Sequence, residues 1–340
     1  MRILITGVTG FAGGHLAELL AAAGERDLHG VSRSAVWPIP LAHLERHVHL
    51  HAADLADLER VESLLRDVQP DQIYHLAGYA AAGASFAEPQ AAWFGNVGVA
   101  HALFDALNRS HLRPRIVFVS SALIYAPPDS PRAALDEAAP IAPLNPYAES
   151  KAAADRLAEE AATVHGFDVV RVRPFNHIGP RQSPQFAVAS FAQQLARIEL
   201  GLAPPRLETG DLTARRDFTD VRDMVQAYRL VMKHGVSGQV YNAGSGIAIS
   251  VAEIVDRLRL LCRVPVEVVT AADRLRPSDA PVLIADATRL RRLTGWRPAI
   301  PLEQTLADTL EFWRAVERGD STPAAQSPTL PAIPHHEPPP

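Results

Sequence analysis

Two hydrophobic periods take turns along this chain. Short runs rich in apolar residues fall at 3–6, 28–32, 48–51, 72–76, 115–120 and 168–173, the lengths expected of strands. Residues 12–23, 58–65 and 93–108, and a stretch from Tyr147 to about residue 163, carry apolar side chains at helical spacing. Strands joined by helices of this length predict an α/β fold, a doubly wound and mostly parallel sheet covered on both faces. The unbroken apolar run at 116–119 fits a central strand of that sheet.

After Pro174 the pattern loosens. Helices are predicted at 186–199 and from Val251 to about 261, with strands at 239–242 and 266–269. Ser250 followed by Glu253 is a capping box that opens the second of these helices. No clean strand–helix–strand repeat appears, as expected of a smaller C-terminal α/β portion that binds substrate. The predicted division is residues 1–174 and 175–316, with some later segments returning to the first portion. From 317 onward the composition changes, and residues 321–340 hold seven of the 28 prolines without periodicity. This predicts a disordered tail at 317–340.

The formal charge of −5 and the lack of a long basic run give no electrostatic basis for nucleic acid as a partner. Cys262 is the only cysteine, so no disulfide, thiolate zinc site or iron–sulfur site can form within one chain, which fits a reducing compartment. No apolar run approaches the roughly 18 residues of a membrane span, and Met1-Arg2-Ile3 leads straight into the first strand. A cytoplasmic protein without a membrane partner is expected. No metal site is suggested: His75 ends a strand, and His335-His336 alone make a weak pair.

Chemistry enters at three places. Gly7, Gly10 and Gly13, with Thr9, Phe11 and Ala12 between them, lie between the first strand and the first helix. Such a loop lets backbone approach a pyrophosphate, whose charge meets free N–H groups and the helix dipole. A Rossmann-type dinucleotide site is therefore expected. A site for NAD(H) usually carries a carboxylate at the end of the second strand, but Ser32-Arg33 stand there. Arg33 could pair with a 2′-phosphate, which favours NADP(H) and leaves NAD(H) open. Asp54-Leu55 are placed to reach the adenine, while Leu76-Ala77-Gly78 leave room for the cofactor.

Tyr147 and Lys151 are one helical turn apart and share a face. A free phenol titrates near 10, and a nearby ammonium is expected to lower that value. Ser121, at the end of the fifth strand, would supply a second hydroxyl to the substrate oxygen. In carbonyl reduction Tyr147 would give a proton to the developing alkoxide.

Several segments carry a resemblance beyond these spacings. They are residues 6–13, His75-Leu76-Ala77-Gly78, Ser120-Ser121, the run 145–151 around Tyr147, and Arg173-Pro174-Phe175-Asn176. Over roughly residues 1–316 the chain resembles the extended short-chain dehydrogenase/reductases that act on nucleotide sugars. The resemblance implies that Ser121, four residues before Tyr125, is the catalytic serine, with Tyr147 and Lys151 its partners. Lys151 would also hold the nicotinamide ribose, and Pro174 would line the cofactor site. It further implies a homodimer in which helix 93–108 and the Tyr147 helix form a four-helix interface.

Segments 173–182, 216–223, 241–246 and 294–298 are similar to GDP-sugar enzymes, especially reductases of GDP-4-keto-6-deoxy-D-mannose and GDP-mannose 4,6-dehydratases. Asn176, Arg216 and Arg276 would then contact the nucleotide diphosphate, with Arg181 nearby. Arginine suits that task because its fork pairs bidentately with phosphate. A dehydratase of this kind places a glutamate two residues after the catalytic Ser or Thr, whereas Ala122 and Leu123 follow Ser121 here. The expected substrate is thus a GDP-linked keto sugar and the expected reaction its reduction. Ser-Ser-Ala-Leu-Ile-Tyr is also close to the strand of UDP-hexose 4-epimerases, so epimerisation stays open, as do dehydration through another acid and a non-catalytic role.

Overall fold

Ile3, Leu4 and Ile5 put no polar group on either face of the first strand, and the computed structural model buries all three inside a sheet. The structure describes residues 1–128, 130, 132–274 and 282–320. The first half runs β1 (Ile3–Thr6), α1 (Phe11–Ala22), β2 (Leu28–Ser32), β3 (Val48–Ala52), α2 (Leu58–Val68) and β4 (Gln72–His75). Next come α3 (Pro89–Trp93), a π-helical turn at Phe94–Gly98, α4 (Val99–Arg109), β5 (Arg115–Val119), α5 (Pro146–Thr163) and β6 (Asp168–Pro174). The second half continues with β7 (Asn176–Ile178), α6 (Ala187–Glu199), β8 (Arg206–Thr209), β9 (Arg215–Asp220), α7 (Val221–His234) and β10 (Val240–Ala243). It closes with β11 (Ala248–Ser250), α8 (Val251–Leu261), β12 (Glu267–Thr270), β13 (Val282–Leu283), α9 (Thr288–Thr294) and α10 (Leu302–Arg318).

Seven strands form one parallel sheet in the order β10-β6-β5-β4-β1-β2-β3. The order reverses between β1 and β4, and ligands of such sheets bind in the crevice at the carboxyl ends beside that reversal. The loop from Gly7 and the segment 76–78 leave the sheet there. One face is covered by α1, α7 and α9 through Leu16, Leu20, Met224, Tyr228 and Leu290. The other face is covered by α2, α4 and α5 through Leu65, Leu103 and Ala158. A third core joins α6, α8 and α10 through Leu195, Ile254 and Leu310, giving the smaller C-terminal portion its own interior.

The predicted doubly wound parallel sheet is present, and most element boundaries fall within a few residues of expectation. Three differences matter for the site. Strand 115–120 stops at Val119, so Ser120 and Ser121 lie past its end. The single helix expected at 93–108 is interrupted by the π turn. Helix α7 was not anticipated, although residues 221, 224, 225, 228, 231 and 232 repeat at helical spacing and are buried. Helix α10 runs to Arg318, two residues past the predicted boundary at 316; the proline-rich stretch from 321 lies outside the described residues. Among the described residues no helix is long and apolar enough to cross a membrane.

Asp223 on α7 pins the C-terminal segment to the sheet. Its carboxylate accepts from Ala299 N at 3.0 Å and Ile300 N at 2.9 Å, and its carbonyl accepts from Trp296 Nε1 at 3.0 Å. Burial, with Asp220 nearby, raises this carboxyl to about 6. A raised acid favours folding in its protonated form, so its contribution is complete below about pH 4 and is lost as pH rises through 6. A shift of this size corresponds to about 3 kcal/mol. Asp223→Asn keeps an oxygen acceptor and removes the charge. Its Tm is expected to exceed that of the unmodified protein at pH 8 and to match it at pH 4; equal differences at both pH values would contradict the assignment.

Candidate active site

The glycine loop is built by close backbone contact. Gly7 adopts φ +71°, and a Cβ there would lie 2.9 Å from Ala77 N. A Cβ on Gly13 would lie 2.1 Å from Gly7 O, so helix α1 starts directly against the loop. Gly10 caps that helix without a side-chain hydrogen bond, and the first turn carries no acidic residue. Its opening N–H groups are thus available to an anion. Thr6 Oγ1 accepts from Leu76 N and Ala77 N, both at 3.1 Å, which locks the ends of β1 and β4 together. These features fit a dinucleotide diphosphate. At the end of β2, Arg33 is exposed and Ser32 donates to Ser34 O. Asp54 is exposed with its carboxylate accepting from Ala56 N at 3.0 Å, while Leu55 is buried. Gly78 is exposed, Leu76 and Ala77 are half-buried, and Pro174 ends β6 buried.

Ser121, Tyr147 and Lys151 come together. Asn145 caps α5, its Oδ1 accepting from Ala148 N at 2.8 Å, and Pro146 takes the first helical position, where a missing N–H costs nothing. Tyr147 and Lys151 then face the sheet, both buried, as is Ser121. Ser121 caps a short 3₁₀ turn, its Oγ accepting from Leu123 N at 3.2 Å, and its hydroxyl acts on the Tyr147 phenol, opposing the effect of burial. Lys151 Nζ donates to Val119 O at 3.0 Å.

The electrostatics differ from expectation in one respect. The ammonium of Lys151 was expected to draw the Tyr147 phenol down, but that phenol stands above its ordinary value. Burial raises it, and the Ser121 hydroxyl recovers only part of the shift. Lys151 is itself lowered to about 8 by burial, with Asp155 opposing the shift. Near neutral pH the pair is therefore a protonated phenol beside an ammonium.

Sequence reasoning missed the residues that hold this pair. Asn96 sits in the π turn, buried, and its Nδ2 donates to Ser150 Oγ at 2.8 Å. Ser150 in turn donates to Tyr147 O at 2.7 Å, while Ser85 Oγ accepts from Tyr147 N at 3.1 Å. Asn96 Oδ1 is buried without a partner, and a Cβ on Gly78 would come within 2.5 Å of it. π turns are rare and recur at functional sites, but nothing in a residue pattern marks one in advance.

The substrate-side residues divide. Asn176 is exposed on β7, opposite Phe218 of β9 and therefore on the same face as Arg216. Arg216 is half-buried, with one donor on Arg215 O at 2.9 Å. Next to Arg216 in β9 but on the opposite face, buried Asp217 accepts from Ser245 N, Ser245 Oγ, Gly246 N and Ala285 N and so fixes the loop after β10. Arg181 is engaged elsewhere: both terminal nitrogens pair with Glu18 of α1 at 2.6 Å, and one also reaches His15 Nδ1 at 2.8 Å. It clasps segment 176–182 to α1, where Phe11 also stacks on His177 with ring centres 5.8 Å apart. Arg276 lies outside the described residues.

The profile of the family described as GDP-mannose 4,6 dehydratase matches residues 4–309. The chain is 33% identical over 314 residues to a GDP-6-deoxy-D-mannose reductase of Pseudomonas aeruginosa, covering 92% of this chain and 97% of that protein. It is 32% identical over 337 residues to a UDP-glucose 4-epimerase of Azospirillum brasilense, covering 93% of each. Among solved structures it is similar to RMD from Pseudomonas aeruginosa in complex with NADPH, with TM-score 0.80, 32% identity and coverage of 93% and 100%. The seven-stranded parallel sheet, the glycine cradle and the agreement along nine-tenths of the chain lead to one assignment: the protein belongs to the GDP-mannose 4,6 dehydratase family of extended short-chain dehydrogenase/reductases.

Proposed function

We propose that this NAD(P)-dependent nucleotide-sugar oxidoreductase reduces the C4 ketone of GDP-4-keto-6-deoxy-D-mannose to GDP-D-rhamnose. The observation that carries the reading is the buried Tyr147 phenol, held protonated by its surroundings and placed on one face of α5 with buried Lys151. A loaded proton donor suits reduction, and its position at the carboxyl ends of the strands sets it beside the nucleotide crevice. The similarity to the Pseudomonas reductase supports the substrate class.

NADPH, when bound, supplies the hydride. Gly7, Thr9, Gly10, Phe11, Ala12 and Gly13 would hold its diphosphate, with Ala77 and Gly78 bordering the nicotinamide side and Pro174 lining it. Arg33 with Ser32 would take the 2′-phosphate, and Asp54 and Leu55 the adenine. Ser121 positions the substrate oxygen, Tyr147 protonates it, and Lys151 holds the ribose. Asn176 and Arg216, on one face of β7 and β9, would take the nucleotide diphosphate of the sugar. Arg276 is retained as a third contact, and Arg181 acts by fixing the segment that presents Asn176. A second copy of the chain would dock on α3 to α5, where Trp93 and Phe94 are exposed, forming the expected four-helix homodimer.

The test follows NADPH absorbance with purified protein and GDP-4-keto-6-deoxy-D-mannose, with NADH in parallel, and identifies the sugar formed. Oxidation yielding GDP-D-rhamnose supports the reading; no oxidation of either cofactor sinks it. The epimerase relatives favour a second reading, interconversion at C4 of a UDP-hexose without added reductant, and UDP-glucose is the probe for it. Arg33→Ala is expected to lower kcat/KM for NADPH by about 10- to 100-fold, the value of one charge-assisted phosphate contact, and to leave NADH unchanged. Equal losses with both cofactors would remove Arg33 from the 2′-phosphate site.

A further inference from the structure

Phe11, His15 and Glu18 stand at i, i+4 and i+7 of α1, which puts them on one stripe of the helix. Each of the three meets the segment that follows β6. Phe11 stacks on His177 with the ring planes 3° apart. His15 Nε2 lies 3.1 Å from Pro180 O, and Glu18 takes both terminal nitrogens of Arg181 at 2.6 Å. Arg181 Nη2 is also 2.8 Å from His15 Nδ1. A guanidinium can only donate, so His15 Nδ1 accepts and its Nε2 carries the proton that goes to Pro180 O. His15 is buried, and the side chains of Arg181 and Glu18 are 6% and 20% exposed, so water competes little for these bonds.

The segment gripped in this way is closed on itself. Gln182 Nε2 donates to His177 O at 3.0 Å, and Arg181 adopts φ +73°, a left-handed conformation that a β-carbon disfavours. The Glu18 carboxylate also reaches a third stretch of chain, its Oε1 lying 2.8 Å from His43 Nε2. His43 belongs to the 3₁₀ turn Ile39–Arg46, which follows the Ser32-Arg33 end of β2. That turn packs tightly on α1, since a Cβ on Gly14 would lie 2.7 Å from Leu41 Cδ2. One carboxylate thus joins α1, the chain beyond Arg33 and the segment beyond Asn176. The first two serve the cofactor side of the crevice, and the third begins at the nucleotide-sugar contact.

We propose that Glu18 and Arg181 are positioning residues that couple the two nucleotide sites. A dinucleotide seated on the start of α1 steadies segment 176–182 through them, and so tightens the hold on a nucleoside diphosphate. The proposal rests on the reading of the glycine loop as the cofactor site and of Asn176 as a nucleotide-sugar contact. Ordering α1 once serves both ligands, so the second to bind meets a smaller entropic cost. The test needs no turnover: NADP⁺ and GDP are titrated calorimetrically, each alone and each in the presence of the other. In the unmodified protein NADP⁺ is expected to tighten GDP by about 5-fold or more, and GDP to tighten NADP⁺ by the same factor. Arg181→Ala and Glu18→Gln are each expected to bring that factor to within about 2-fold of unity, and the double variant to lose no more than either alone. Arg181→Lys keeps an ion pair with Glu18 and should recover part of it. A merely structural role weakens GDP equally with and without NADP⁺; a factor retained in this way, or one near unity in the unmodified protein, overturns the proposal. If Arg181→Ala does not fold, Glu18→Gln, which keeps the shape of the side chain, decides. Amide hydrogen exchange gives a second readout: NADP⁺ should slow exchange across 176–182 in the unmodified protein and not in Glu18→Gln, and equal slowing in both refutes the coupling. UDP coupled to NADP⁺ in place of GDP would leave the proposal standing and refute only the GDP-sugar reading, whereas binding of neither nucleotide refutes both.

Discussion

Tyr147→Phe is expected to lower kcat for NADPH-dependent ketone reduction by about 10³-fold, the usual worth of a positioned general acid, while KM for the sugar changes little. The phenol ring packs in a buried position, and Phe keeps that packing. Removing the hydroxyl leaves α5 capped by Asn145 as before. Ser85 and Ser150 hold the backbone of residue 147, not its side chain, and remain in place. Ser121→Ala should cost less, because Tyr147 retains its proton. Initial rates across substrate concentration decide the matter; a rate within a factor of three or so of the unmodified protein would move the proton donor elsewhere.

Gly13→Ala is expected to abolish measurable cofactor binding at ordinary concentrations, a loss of at least about 100-fold in affinity. The added methyl would sit 2.1 Å from Gly7 O, 2.8 Å from Gly7 C and 2.9 Å from Val8 Cα. All three are backbone atoms, so no side chain can rotate away; the helix start must lift from the loop. That displaces the N–H groups meant for the diphosphate and the packing of Leu16 and Leu20 on the sheet. Fluorescence titration with NADPH and a thermal melt measure the two effects. Affinity and Tm both unchanged would show that the loop tolerates a spacing which the backbone contacts forbid.

The sheet was legible because its strands are short and apolar and its helices are strongly amphipathic, as in 116–119 and 58–65. The reactive pair was legible because four residues are one helical turn. What escaped the sequence depends on contacts between distant segments. Nothing near Asn96 announces that a π turn will aim it at Ser150, 54 residues on. Arginine at 181 is compatible with a phosphate contact by type alone, and only the fold brings Glu18 to it from 163 residues away. The phenol's raised pKa came from the depth of burial, a quantity that spacing does not report. Helix α7 is different: Val221, Met224, Val225, Tyr228, Val231 and Met232 carry its helical spacing in the sequence itself.

The origin of α7 and β10 bears on how this protein could be cut, fused or evolved by recombination. β10 is the end strand of the seven-stranded sheet and α7 covers one of its faces, yet both follow β7 in the chain. A fragment ending at Pro174 would leave β6 as a bare sheet edge and would uncover the apolar surface that Met224, Val225, Tyr228 and Val231 occupy. The two portions are therefore interleaved, and neither is a transferable cassette. Any exchange of the later segments between relatives must keep 221–243 with the host sheet.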